Sequence, residues 1–139
     1  MIFICIFVTI GAMKNQRTID QLEQDIDDSL KAFVRLGRAL TDIRDRNLYR
    51  EAGYKNLEAY TLSRWGHRRS WAYQQMDAAR VYGYLEDAGF SGEQMPTAEA
   101  TIRNMAKLSP KECVEIWKQA LARTPKPTKA LITELVNAD

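Results

Sequence analysis

From Ile19 onward the apolar residues of this 139-residue chain recur at three- and four-residue steps, and no stretch alternates apolar with polar. A 3.6-residue period gathers such positions on one stripe of a helix, whereas a half-buried strand needs a period of two. This pattern restricts the chain to an all-α fold. We read about six helices in a single domain over residues 13–139: a long N-terminal helix, a helix-turn-helix over 56–83, and C-terminal helices over 97–138.

The punctuation between stripes sets the expected elements. Thr18, three residues before Gln21, predicts a capping box, and Ile19, Leu22, Ile26, Leu30, Phe33, Gly37, Leu40 and Ile43 predict one helix up to about Arg46. Such a helix, ~28 residues and ~40 Å long, needs its stripe covered by the rest of the chain or by a second copy. Residues 48–55 read as a connector with a turn at Gly53. Asn56 then caps a short helix carrying Leu57, Tyr60, Leu62 and Trp65, which Gly66 ends. The next helix runs from 69 to about 87 with Ala72, Met76, Ala79 and Gly83 on its stripe. After a loop at 89–92, Thr97 is expected to cap a helix burying Ile102, Met105 and Leu108. Ser109-Pro110-Lys111-Glu112 is the clearest helix start, with serine at the cap, proline in the first turn and glutamate placed to close the box. Val114, Trp117 and Leu121 give that helix its expected apolar face, and Thr128 caps a last one with Leu131, Ile132 and Leu135.

Several functional classes are disfavoured by composition. Two cysteines, Cys5 and Cys113, make no disulfide framework, and with one histidine, His67, they make no metal set. A Gly-rich phosphate loop and a plausible Ser/His/Asp set are both missing from the sequence. Asp25, Asp27 and Asp28 read as a solvated helix face. The expectation is a non-enzyme with no cofactor and no small-molecule substrate, in a reducing cytoplasm and associated with nucleoid or plasmid. The first twelve residues, MIFICIFVTIGA, are shorter than the ~20 apolar residues of a membrane span and carry no positive charge ahead of the apolar run. They are read as a leader outside the fold, with translation starting at Met13, and no membrane partner is expected.

The net charge of +2 is unevenly spread. Residues 48–82 hold Arg50, Lys55, Arg64, Arg68, Arg69 and Arg80 against Glu51, Glu58 and Asp77, while the flanking regions are nearly balanced. The excess falls on the helix-turn-helix, where a polyanion could meet it. Gly66 supplies the positive φ of the turn. Ala72 is small enough for the angle between the helices, and Met76 continues the packed side, with Leu62 and Trp65 expected to face it. In this register Arg68, Arg69, Ser70, Tyr73, Gln74 and Asp77 project from the start and outer side of the second helix. Gln74 suits an adenine edge and an arginine suits guanine or phosphate. Arg64 and Lys55 are further phosphate candidates, Arg80 reads as a solvated or internally ion-paired residue, and Trp65 and Trp117 read as core.

The stretch YREAGYKNLEAYTLSRWG and the helix that follows resemble a region of bacterial plasmid and phage proteins with a ParB-like helix-turn-helix. The resemblance extends over about residues 30–122. It takes in Gly37-Arg38-Ala39-Leu40, Ile43-Arg44, Leu48-Tyr49-Arg50 and the later Leu108-Ser109-Pro110. It implies double-stranded DNA as the partner, on a mobile element, in partition, replication control or transcriptional regulation. Similar proteins often carry serine where Arg68 and Ser70 stand, and Arg68 departs from that. Motifs of the nucleotide-hydrolysing ParB proteins are missing, so that activity is not implied. A reading helix covers few base pairs, so a homodimer is expected. The alternative is a helical interaction adaptor or antitoxin-like module in which the helix-turn-helix is only scaffold.

Overall fold

The computed structural model describes residues 16–138, all of whose regular elements are helical. The expected leader over 1–12 lies outside the described residues. The α-helices are α1 (Ile19–Leu30), α2 (Ala32–Asp45), α3 (Leu48–Glu51), α4 (Leu57–Trp65), α5 (Arg69–Asp87), α6 (Glu99–Ile102), α7 (Pro110–Arg123) and α8 (Lys129–Asn137). Short 3-10 turns occupy Gly92–Gln94 and Arg103–Met105.

The single long N-terminal helix is not formed. Its Thr18–Gln21 box is present, with the Gln21 amide donating to Thr18 Oγ1 at 3.2 Å and the Thr18 amide to Gln21 Oε1 at 3.0 Å. The helix then breaks at Lys31, whose φ of −92° and ψ of 4° leave the α region. The described residues divide at this point into two compact units, one ending at Leu30 and the other beginning at Lys31. Within the first unit α1 buries no residue, and its stripe of Ile19, Leu22, Ile26 and Leu30 is exposed.

In the second unit α5 is the spine. Its N-terminal half supplies Ala72 and Met76 to a small core with Leu40, Leu57 and Tyr60. Its C-terminal half supplies Ala78, Val81, Tyr82 and Leu85 to a larger core with Phe33, Val34, Ile102, Met105, Ile116, Trp117, Ile132 and Leu135. Helix α2 crosses α5 very closely at Gly37. A Cβ there would lie 2.2 Å from the Gln75 carbonyl oxygen and 2.5 Å from Ala79 Cβ. Only a residue without a side chain lets the two backbones meet at this distance.

The C-terminal helices follow their caps. Ser109 and Glu112 close the expected box on α7, and Thr128 Oγ1 accepts from the Leu131 amide at the head of α8. Thr97, by contrast, caps nothing: the residue before α6 is Ala98, with no side-chain cap, and the expected single helix is one α turn continued by a 3-10 turn. The inward face of α7 is also rotated from the expected one. Cys113, Ile116, Trp117 and Ala120 are buried, while Val114 and Leu121 lie at its margins. Small Cys113 and Ala120 let α7 approach the core as an apolar stripe drawn from the largest side chains does not reveal. The Trp117 indole N–H donates to the Gln94 carbonyl at 2.9 Å, so the one polar atom of this buried ring is satisfied.

Candidate nucleic-acid interface

A helix, a three-residue turn and a second helix form the site. Asn56 caps α4, its Oδ1 accepting from the Ala59 amide at 2.8 Å. Leu57, Tyr60 and Thr61 anchor α4 inward. The helix ends at Gly66, whose φ of +72° is the left-handed value its lack of a Cβ permits. There the Gly66 amide donates to the Leu62 carbonyl at 3.1 Å and the His67 amide to the Thr61 carbonyl at 3.2 Å. Three residues later α5 begins at Arg69, with Arg68 at its cap position in extended geometry.

An arginine cannot accept a hydrogen bond, so no side chain caps α5. Its first-turn amides are therefore left without a side-chain acceptor, with the positive end of the helix dipole behind them. Every residue from Leu62 to Ser70 is exposed, and that run contains Arg64, Arg68 and Arg69 and no acid. This is the strongest concentration of accessible positive groups around the turn.

Ala72 and Met76 are buried against α2 and α4, as their spacing implies. At 100° per residue the opposite arc of α5 carries Ser70, Gln74 and Asp77, with Tyr73 on its flank, while Arg69 lies on the Ala72–Met76 side and is exposed because it is the first residue of the helix. Arg69 and Ser70 are exposed, and Tyr73, Gln74 and Asp77 are half-buried. Ser70, Gln74 and Asp77 thus form an outward ridge flanked by Tyr73, with Arg69 at the exposed start of the helix. Two of these residues have intramolecular partners. Arg69 pairs with Glu58 at 3.3 Å and lies 5.0 Å from the centroid of the Tyr73 ring. Asp77 pairs with Arg80 at 3.3 Å, and Arg80 also donates to the Ala106 carbonyl, so of the two readings of Arg80 the intramolecular one holds.

Asp77 marks where the basic character ends. It lines an open groove of about 480 Å³ between α2 and α5, rimmed by Arg38, Arg44 and Arg80 but equally by Asp42 and Asp87. That mixture offers no net attraction to a polyanion.

Sequence reasoning misplaced two side chains and missed one. Leu62 and Trp65 do not face the α5 stripe; they are 56% and 57% exposed. Leu57, Tyr60 and Thr61 already fill the inward arc of this nine-residue helix, which turns Leu62 and Trp65 to the other side. The missed residue is Arg44 of α2, whose guanidinium lies 5.9 Å from the Tyr73 ring centroid. Its separation of 29 residues from Tyr73 hides it, and only the crossing of α2 over α5 brings it to the ridge. His67 stacks on Trp71 at 3.9 Å between ring centroids, which braces the turn.

The arrangement is that of a small helical protein with a helix-turn-helix whose second helix presents a basic, uncapped start. Comparison of the chain with protein-family models, with curated proteins and with solved structures finds no match.

Proposed function

We propose that the chain binds double-stranded DNA sequence-specifically, with the start of α5 entering the major groove. The observation that carries this reading is the exposed run Leu62–Ser70 at the turn, which holds three arginines, no acid of its own and a helix N-terminus lacking a side-chain cap, with Glu58 the one carboxylate paired to it. Backbone amides at a helix start and guanidinium groups are both phosphate ligands, and together they fix a helix against a duplex. Arg64, Arg68 and Arg69 take the phosphates. Ser70, Gln74 and Tyr73, further along the outward arc, reach base edges and sugar.

The existing partners of Arg69 do not oppose this. Its pair with Glu58 is exposed on both sides (69% and 38%), and such pairs contribute little in water, so a phosphate can displace the carboxylate. Arg44, beside Tyr73, adds a cation to the ridge. The resemblance to ParB-like regions supports a role in partition, replication control or transcription on a plasmid or phage, with the protein acting as a homodimer.

The test is selection of bound duplexes from random DNA, followed by anisotropy titrations of the winner at two salt concentrations. Arg69→Ala and Gln74→Ala are each expected to weaken specific binding by ~1–3 kcal/mol with the helical fold unchanged. Affinity should fall steeply with salt as counterions are released. Salt-independent binding, or variants that hold the duplex like the parent, would remove the ridge from the interface and favour the adaptor reading. That second reading is supported by the exposed stripe of α1.

A further inference from the structure

Two apolar surfaces of the chain are uncovered, and they are opposite in charge. The first is on α1. At 100° per residue Leu22, Ile26, Ile19 and Leu30 fall within an arc of ~80°, a stripe of the kind that seats on another apolar surface. They are 43%, 58%, 68% and 46% exposed. Within α1 stand Asp20, Glu23, Asp25, Asp27 and Asp28 and no base. Glu23 and Asp27 flank the stripe on one side and Asp25 on the other, where it pairs with Arg17.

The second surface is the outer face of α4. Leu62 and Trp65, three residues apart, share it, and Glu58 one turn earlier is neutralised by Arg69. Arg64, Arg68 and Arg69 are the exposed cations nearest to the pair in sequence, and the Glu58 pair brings Arg69 to this face.

We propose that α1 of one copy of this chain docks on the Leu62–Trp65 face of a second copy. The match is in both terms. Leucine and isoleucine side chains cover an exposed tryptophan and leucine, and a rim of carboxylates meets a rim of guanidinium groups. Like-with-like pairing fails on the second term. Two α1 helices face to face would bring the carboxylates flanking both stripes together, and two α4 faces would bring guanidinium groups together. Each copy carries both surfaces, so exchange in both directions buries each surface of a pair; the arginines engaged this way are withheld from phosphate, so this dimer and the DNA-bound form exclude one another.

The contact is measured without DNA, so its outcome is independent of the nucleic-acid reading. Sedimentation velocity of the full chain at tens of micromolar should show a dimer that weakens as salt is raised. Ile26→Ser and Trp65→Ser should each weaken dimerisation at least tenfold. Both positions are exposed, and circular dichroism should show the helices intact. The decisive arm is a one-to-one mixture of the two variants. Each retains the surface that the other lacks, so the mixture regains dimers that neither variant forms alone. A monomeric parent, a dimer that tightens with salt, a mixture that stays monomeric, or loss of dimer in only one of the two variants would each overturn the proposal.

Discussion

Replacing Gly37 by alanine tests the close crossing that organises the second unit, and its size can be worked from the geometry. The new methyl carbon would sit 2.2 Å from the Gln75 carbonyl oxygen, 2.5 Å from Ala79 Cβ and 2.9 Å from the Gln75 carbonyl carbon. A carbon and a carbonyl oxygen approach no closer than ~3.3 Å even in weak hydrogen bonds, so α2 and α5 must separate by ~1 Å. Two of the three obstructing atoms are backbone, and neither can swing away. A gap of that size forfeits a quarter to a half of each dispersion contact along the interface, and overpacking of this kind costs roughly 1–3 kcal/mol or more. Alanine recovers up to about 1 kcal/mol of helix propensity, so from the upper part of that range a net loss of roughly 1–2 kcal/mol remains. With a urea slope of ~1–3 kcal/mol/M, the midpoint should fall by ~1 M. Gly83 provides the control. It lies in α5 with an ordinary φ, and an added Cβ would meet nothing within 4 Å. Gly83→Ala should therefore raise stability by ~0.5–1 kcal/mol. The two substitutions are chemically identical and opposite in expected sign. Urea melts followed by circular dichroism that gave Gly37→Ala the stability of the parent, or gave both variants the same sign, would refute the crossing.

Other outcomes follow from particular residues. Gly66→Ala forces a Cβ into a φ of +72° with no steric neighbour, so it should lose ~1–2 kcal/mol by backbone strain alone, and Gly66→Asn less, in thermal melts. Trp117→Ala empties a site only 1% exposed and should cost ~3–5 kcal/mol in a denaturant titration. Trp117→Phe keeps most of the volume but loses the bond to Gln94, and should cost less. Burial holds the Cys113 thiol neutral and pushes its pKa up from 9.0 to about 11. The unfolded thiol ionises first as pH rises, so this contribution to stability is whole below pH 9 and is lost towards pH 11. In a Cys5→Ser background, iodoacetamide should leave the folded chain unmodified at pH 8 and label it on unfolding; rapid labelling of the folded chain would contradict the burial.

Much of this molecule was legible because its signals are local. The Ser109–Glu112 box, the Asn56 and Thr128 caps and the glycine turn at 66 each depend on residues within one helical turn, and each forms as read. The buried pair Ala72 and Met76, and the outward arc opposite it, follow from the 3.6-residue period once the helix is placed. The same period could not say how wide each helix's inward arc is. On α4 it admitted Leu62 and Trp65 to the core, although Leu57, Tyr60 and Thr61 already occupied the space. Nor could it show that the stripe from Ile19 to Ile43 is cut at Lys31, since no proline or glycine marks the break.

Sequence by itself determined the helices, their caps and the basic turn, because hydrogen bonds and side-chain periodicity act over a few residues. Tertiary structure alone decided which of two glycines is a crossing point, that Arg44 joins the ridge beside Tyr73, and which apolar residues stay uncovered. These depend on how distant segments meet, and close packing resolves that only when volumes from different helices compete for the same space.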